Sequence, residues 1–165
     1  MKCVILAGGK GTRLSEETQE VPKPMIEIGN RPILWHIMKH YSAHGIDEFI
    51  ICTGYKSNYI KNYFVNYKVN NSVIHVDIKD NIVEVDSNVK ENWKISIIDT
   101  GLETNTAGRI KKVAKYIPED VFLLTYGDGV GDVNIRKSIE FHKKHKKLVT
   151  MAAAIPEGRF GSITF

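Results

Sequence analysis

The 165-residue chain has the composition of an ordinary globular protein, with 42% hydrophobic and 25% charged residues. Its formal net charge of +4 favours anionic ligands without requiring a nucleic acid. Two cysteines, each inside an apolar run, argue against a disulfide framework, and no apolar run is long enough to span a membrane. We therefore expect a cytoplasmic protein with no membrane partner.

The first half of the chain alternates apolar runs with amphipathic segments. Its predicted elements, in chain order, are a buried strand (2–7), a short extended piece (25–29), a helix (32–44), a second buried strand (48–53) and an aromatic-rich helix (57–67). Pro32 suits the first helical position because its φ is fixed, and Gly45 is a candidate C-cap.

The second half opens with residues 73–85, which alternate as two short strands about a turn at Asp80 and Asn81. The elements predicted after them are a strand (94–99), a helix (106–116), a buried strand (121–125), a basic helix (135–146) and a last buried strand (148–154). Buried strands that alternate with helices predict an α/β fold, with a mostly parallel mixed sheet and helices on both faces.

The end of the chain shows the start of a further pattern. Residues 161–165 alternate polar and apolar side chains like a strand, and no turn signal follows them. We therefore expect residues 1–165 to be one domain of a C-terminally truncated chain, with part of the site beyond Phe165.

Two polar segments follow predicted strands directly. Residues 8–13 come after the first strand, and Gly127 and Asp128 come after the strand at 121–125. In parallel α/β sheets, ligands bind beyond the carboxyl ends of the strands. We expect the two segments to lie near each other at that edge.

The glycine-rich loop does not match the two commonest phosphate motifs. In a Walker A loop the lysine follows the last glycine, whereas Lys10 precedes Gly11. In the dinucleotide fingerprint the third glycine would stand where Leu14 is found. The loop nevertheless has the chemistry of an anion site, because its glycines let backbone N–H groups approach a polyphosphate.

Three cations accompany the loop. Arg13 can direct two donors onto phosphate oxygens, and Lys10 adds charge. Pro22 and Pro24 restrict the backbone on either side of Lys23, which favours a lysine held as a fixed charge. The alternatives are a tight surface turn for the glycines and an ordinary loop lysine for Lys23.

The combined motif resembles the signature of sugar-phosphate nucleotidyltransferases. Its residues are Gly8-Gly9-x-Gly11-Thr12-Arg13-Leu14 followed by Pro22-Lys23-Pro24-Met25. Residues 31–40, 99–101, 106–113, 125–130 and 158–161 resemble the branch that acts as glucose-1-phosphate cytidylyltransferases. The resemblance covers essentially the whole chain and implies a Rossmann-like nucleotidyltransferase fold.

The resemblance also implies a reaction. The substrates would be CTP and glucose 1-phosphate, and the products CDP-glucose and pyrophosphate, for dideoxy-sugar and O-antigen polysaccharide biosynthesis. The attacking phosphate oxygen is ionised near pH 7, so the catalyst needs to neutralise charge and hold the geometry rather than supply a base. Relatives are commonly oligomers, which implies a homo-oligomer for the full-length protein.

Each motif residue takes an implied role. Arg13 would bind the departing pyrophosphate, and Lys23 would stabilise charge at the α-phosphate. Asp128 would hold Mg²⁺, together with a second aspartate that is not among these 165 residues and is expected beyond Phe165. The nucleotide-binding residues implied are Leu6, Ala7, Gly8, Gly9, Lys10, Gly11, Thr12, Arg13, Lys23, Thr104, Arg109 and Asp128.

Several alternatives stay open at this point. Asp128 could be a turn or N-cap residue, Thr104 a loop residue and Arg109 a solvated helix residue. The protein could use UTP or dTTP, or bind nucleotide sugars without turnover. The lysines around His142 and His145 could bind nucleic acid, although we expect a solvated helix face there and no nucleic-acid partner.

Overall fold

The structure is a computed structural model that describes residues 1–11 and 20–153. Its strands are β1 (Lys2–Leu6), β2 (Glu27–Ile28), β3 (Arg31–Pro32), β4 (Glu48–Thr53), β5 (Ser72–Asp77), β6 (Ile82–Ser87), β7 (Lys94–Asp99) and β8 (Leu123–Tyr126). Its helices are α1 (Ile33–Ala43), α2 (Ser57–Val65), α3 (Tyr67–Asn70), α4 (Thr106–Val113) and α5 (Ile135–His145). Single 3-10 turns occupy Lys23–Met25 and Ala114–Tyr116.

The chain forms two compact units, Met1–Val130 and Gly131–Phe165. All the described strands belong to the first unit, and α5 belongs to the second. Within the described residues, no helix is long and apolar enough to cross a membrane.

A four-stranded sheet with the order β7-β4-β1-β8 is the centre of the first unit. Its neighbouring strands are all parallel, and Ile5 of β1 is in register with Ile51 of β4 and Thr125 of β8. The two inner strands, β1 and β4, are buried almost throughout, which explains why their sequences are continuously apolar rather than alternating. The predicted parallel sheet is confirmed.

Helices cover both faces of this sheet. Successive strand residues point to opposite faces, so Val4 and Ile50 share one face and pack with Val113 at the end of α4. Cys3 and Thr125 share the other face, where both lie beside Tyr41 of α1. Each buried aliphatic side chain in these layers contributes roughly 1.5–3 kcal/mol to stability.

Two smaller sheets are hairpins. β2 and β3 pair on either side of Gly29 and Asn30, and α1 begins immediately after them. β5 and β6 pair about the predicted turn, with Ile74 opposite Val85. The prediction of strands at 73–85 is therefore confirmed.

The predicted strand at residues 148–154 is wrong over its described part. Residues 148–153 form no strand, and the side chain of Leu148 is 99% exposed. An apolar run becomes a strand when a neighbouring strand satisfies its backbone groups, and no described strand pairs with this segment. Instead, His142 and His145 both hydrogen-bond the hydroxyl of Thr150.

Other differences from prediction are small. Met25 lies in a 3-10 turn rather than an extended piece, and Pro32 is the N-cap residue of α1 rather than its first residue. β8 is only partly buried, and its Leu124 is 43% exposed, because β8 is an edge strand among the described strands. Gly45 follows the end of α1 with φ of 84°, a conformation that favours glycine.

Candidate active site

The carboxyl ends of β1, β4 and β8 remain joined beyond the strands themselves. Ala7 N–H donates to the carbonyl of Cys52 over 2.9 Å, and Gly127 N–H donates to the carbonyl of Leu6 over 2.9 Å. A Cβ on Gly127 would lie 3.1 Å from that carbonyl oxygen, so glycine permits this close approach. The expected proximity of the glycine loop and Asp128 is confirmed.

A cleft of about 510 Å³ opens at this edge of the sheet. Its lining residues are Leu6, Ala7, Gly8, Gly9, Gly11, Lys23, Pro24, Thr104, Asn105, Thr106, Arg109, Tyr126 and Asp128. Nine of the twelve residues predicted to bind nucleotide are in this set. Lys10 does not line the cleft, and Thr12 and Arg13 lie outside the described residues.

Lys23 and Asp128 form an ion pair in the cleft. The Nζ atom of Lys23 lies 2.7 Å from Oδ2 of Asp128, and the side chains are 30% and 39% exposed. The 3-10 turn begins at Lys23, and Met25 N–H bonds the carbonyl of Pro22, which fixes the backbone that carries the lysine. A half-exposed pair of this kind is weak, so either partner can exchange it for a ligand.

Arg109 is a buried cation at the base of the cleft, with 6% of the residue exposed. Nη1 donates to the carbonyl of Thr53 over 2.9 Å and to the hydroxyl of Thr100 over 2.6 Å. Nη2 donates to the carbonyls of Gly8 and Leu102. The alternative of a solvated helix residue is wrong, because α4 directs this side chain inward to the strand ends.

The charge of Arg109 is not neutralised by an acid in the described part of the chain. Its partners there are carbonyl and hydroxyl oxygens, and the described ion pairs involve other residues. A buried, hydrogen-bonded cation without a carboxylate partner leaves a positive potential at the cleft. The arrangement therefore favours an anionic ligand.

Two glycines make room for the guanidinium. A Cβ on Gly8 would lie 2.1 Å from Nη1 of Arg109, and a Cβ on Gly54 would lie 2.7 Å from the same atom. Neither position tolerates a larger residue without displacing the arginine. Gly8 is therefore required by packing as well as by any contact with phosphate.

Sequence reasoning missed the supporting residues Thr53, Gly54 and Thr100. A signal was present, because each strand of the central sheet is followed within two positions by glycine. These glycines are Gly8, Gly54, Gly101 and Gly127. The pattern marks the edge where the backbone and a ligand approach closely.

The loop before α4 completes the wall of the cleft. Asn105 caps the helix, since its side chain accepts from Gly108 N–H over 2.8 Å. Thr104 donates its hydroxyl proton to the carbonyl of Thr100 over 2.6 Å and accepts from Lys112 over 3.2 Å. Asn105 and Thr106, both missed from sequence, place the start of the helix at the cleft, where its dipole favours negative charge.

Lys10 points to a partner outside the cleft lining. Its Nζ atom lies 2.6 Å from Oε1 of Glu103, and the two side chains are 47% and 78% exposed. The pair links the glycine loop to the loop before α4. That Lys10 contacts a nucleotide stays a prediction.

The two cysteines are buried and free, as expected for strand residues. Burial raises the pKa of the Cys52 thiol to about 11, and the charge of Arg109 opposes part of that increase. Burial also raises the pKa of the Cys3 thiol. Neither thiol is suited to act as a nucleophile near neutral pH.

Asp128 is the carboxylate of the cleft lining, and no described group of three or more acidic, histidine or cysteine side chains could hold a metal ion. Mg²⁺ nevertheless takes few protein carboxylates where substrate phosphates and water supply its other ligands. The contact with Lys23 demonstrates that the carboxylate faces the cleft and accepts a cation. Asp128 thus fits the role of one Mg²⁺ ligand.

Comparison with known proteins defines the class of this protein. The family model described as nucleotidyl transferase matches residues 2–165. The chain belongs to the nucleotidyl transferase family, which confirms the resemblance drawn from the glycine loop and Lys23.

The curated relatives of the chain are consistent with this family assignment. The chain is 54% identical over 164 residues to the glucose-1-phosphate cytidylyltransferase of Salmonella typhimurium and 43% identical to a probable one of Bacillus subtilis. These matches cover 99% of the chain and 64% of each relative, so the chain spans less than two thirds of their length.

Solved structures confirm the fold. HddC from Yersinia pseudotuberculosis, complexed with GMP-PN, matches with a TM-score of 0.62 and 30% identity over 86% of this chain and 53% of its own. A UDP-glucose pyrophosphorylase complexed with UDP-glucose matches with a TM-score of 0.63 at 19% identity, covering 88% of this chain and 54% of its own. The predicted α/β nucleotidyltransferase fold is confirmed.

Proposed function

We propose that the full-length protein transfers a cytidylyl group from CTP to α-D-glucose 1-phosphate and releases pyrophosphate and CDP-glucose. The observation that carries the proposal is the 54% identity, over 99% of the chain, to a glucose-1-phosphate cytidylyltransferase. The cleft supports it, because a lysine, a carboxylate and a glycine loop meet at one edge of a parallel sheet. Residues 1–165 would form the nucleotide-binding part.

The reaction joins two anions. A phosphate oxygen of the sugar phosphate attacks the α-phosphorus of CTP, a new P–O bond forms, and the bond to the β-phosphate breaks so that pyrophosphate leaves with the electron pair. The attacking oxygen is already ionised near pH 7, so no base is required. The barrier comes from charge repulsion and from the need for in-line geometry.

The residues of this chain address those two difficulties. Lys23 would exchange Asp128 for the α-phosphate and stabilise charge in the transition state. Backbone N–H groups of the glycine loop would bind the phosphates, and Arg13 would bind the departing pyrophosphate. Mg²⁺, when held by Asp128, would supply further neutralisation of the phosphate oxygens.

The base and ribose would lie along Leu6, Ala7, Thr104 and the surroundings of Arg109. The Nη1 and Nη2 groups of Arg109 already donate to protein oxygens, so its contribution would be positive potential and support of the Gly8 carbonyl. We also propose a cytoplasmic, oligomeric enzyme that supplies dideoxy-sugar synthesis for surface polysaccharides. No nucleic acid is required for this function.

Pyrophosphate release tests the proposal directly. Full-length protein with Mg²⁺ and glucose 1-phosphate should release pyrophosphate faster with CTP than with UTP or dTTP. A preference for dTTP or UTP would replace the cytidylyl assignment by another member of the same family. Binding of CTP without pyrophosphate release would instead indicate a nucleotide-sugar-binding module. Lys23→Met should bind CTP more weakly and should lose turnover.

A further inference from the structure

We propose that Glu103 is a positioning residue that holds Lys10 away from the cleft when the nucleotide is absent and gives it up when a polyphosphate binds. The inference rests on the proposed function only in that phosphates bind beside the glycine loop. It does not depend on which base or sugar is used. The observation that carries it is the ion pair of 2.6 Å between Lys10 Nζ and Glu103 Oε1.

Lys10 and Glu103 lie on two different loops that border the cleft. Gly9 and Gly11, on either side of Lys10, line the cleft, and so does Thr104, the neighbour of Glu103. The pair therefore connects two loops that both border the ligand space, although they are separated by 93 positions in sequence. Neither charged side chain belongs to the lining itself.

Charge explains why a carboxylate at this position matters. An acid beside an anion site lowers the affinity for anions, both by repulsion and by occupying a cation that the ligand needs. The pair is exposed on both sides, so it is weak and its charges are screened by salt. A triphosphate carries more charge than one carboxylate and can therefore take Lys10 from Glu103.

The ion pair of Lys23 with Asp128 shows the same principle in the cleft. Lys10 and Lys23 each have a carboxylate partner, at distances of 2.6 and 2.7 Å. The difference is that Asp128 lines the cleft and fits a metal-binding role, whereas Glu103 does not line the cleft. Glu103 thus acts on ligand affinity through Lys10.

Equilibrium binding of inorganic pyrophosphate and of CTP to the full-length protein tests this proposal. At low salt, Glu103→Gln should tighten both ligands by about two- to five-fold, the range expected for an exposed ion pair, and Lys10→Met should weaken both. The effect of Glu103→Gln should shrink at high salt. Glu84→Gln, on the exposed hairpin strand β6, makes the same charge change away from the cleft and should alter neither affinity.

A double-variant cycle separates this mechanism from its rivals. In a Lys10→Met background, Glu103→Gln should no longer tighten binding, because no lysine remains to be released. An equal tightening in both backgrounds would mean direct repulsion and would overturn the proposal. Weaker or unchanged binding by Glu103→Gln alone would overturn it as well, since that result assigns Glu103 a purely structural role.

The same measurements keep this inference apart from the proposed function. Pyrophosphate carries neither base nor sugar, so its affinities report on Lys10 and Glu103 whatever the substrate is. If Glu103→Gln tightens pyrophosphate while CTP is not turned over, the enzyme assignment fails and this inference stands. If CTP is turned over but Glu103→Gln leaves the affinity for pyrophosphate unchanged, the enzyme assignment stands and this inference fails.

Discussion

The guanidinium of Arg109 occupies the space in which a side chain on Gly8 would begin. A Cβ added to Gly8 would lie 2.1 Å from Nη1 and 2.4 Å from Cζ of the arginine. The same guanidinium bonds the carbonyl of Gly8 over 3.0 Å. The first glycine of the loop is therefore held by a residue 101 positions away, and the same contact lies at the candidate site.

Gly8→Ala should destabilise the protein by about 1–3 kcal/mol, because the added methyl group must displace a buried, hydrogen-bonded side chain. Urea denaturation of the wild type and the variant measures this loss. Gly9→Ala is the matched control, since a Cβ there meets no atom of the described residues within 4 Å. Equal stability of the two variants would contradict the packing described here.

Arg109→Lys should also destabilise the protein, by about 1–3 kcal/mol, although it keeps the charge. An ammonium group cannot reproduce the planar set of guanidinium donors that bonds Thr53, Thr100 and Gly8. Buried oxygens would therefore lose their hydrogen-bond donors. The thermal melting temperature gives the readout. Lys111→Met, at an exposed position of the same helix, should leave the melting temperature nearly unchanged.

Asp128→Asn should separate function from stability. The ion pair of Asp128 with Lys23 is half-exposed, so its loss should change stability by less than about 1 kcal/mol. Turnover of the full-length protein should fall by about 100-fold or more if this carboxylate holds Mg²⁺. Parallel measurement of melting temperature and pyrophosphate release checks both parts. A large loss of stability with turnover intact would reassign Asp128 as a structural turn residue.

The buried thiols predict a loss of stability at alkaline pH. Burial raises the pKa of Cys52 from 9.0 to about 11, so the folded state keeps its proton where the unfolded state releases it. The stabilisation of the folded state by the protonated Cys52 thiol is fully present below pH 9 and is lost as the pH rises to about 11. Burial also raises the pKa of Tyr41 to about 12, which extends the loss to higher pH.

Melting temperatures between pH 7 and pH 11 test this expectation. They should be level up to about pH 8.5 and should then fall, and Cys52→Ala should show a shallower fall from its own lower starting value. A thiol reagent at pH 8 should label neither cysteine in the folded protein and both in denaturant. Rapid labelling of the native state would show that the thiols are accessible.

Much of the fold could be predicted from local patterns. The strands β4 and β7 begin and end at the predicted residues. The continuous apolar run of β4 and the interrupted apolar residues of β7 are both bounded by polar residues, which favours short strands. Residues 148–153 show the limit of that reasoning. Their apolar composition suits a strand, but a strand also requires a partner, and pairing is a property of the tertiary structure.

The candidate site, like the fold, could be predicted from the sequence only in part. The glycine loop, Lys23 and Asp128 indicated a phosphate site from the sequence alone, because glycine frees the backbone and proline restricts it through local chemistry. Sequence periodicity could not reveal that Arg109 faces inward, or that Thr53 and Thr100 receive it. Those contacts join three segments that are distant in the chain.

By itself, the sequence determined most of the strand and helix pattern, the edge of the sheet at which the cleft lies, and the cations available there. The tertiary structure alone decided which carboxylate each lysine meets, with Asp128 beside Lys23 and Glu103 beside Lys10. The physical reason is that charge and backbone preference are local properties of residues. Electrostatic pairing and close packing depend on distances that exist only once β1, β8 and α4 have come together.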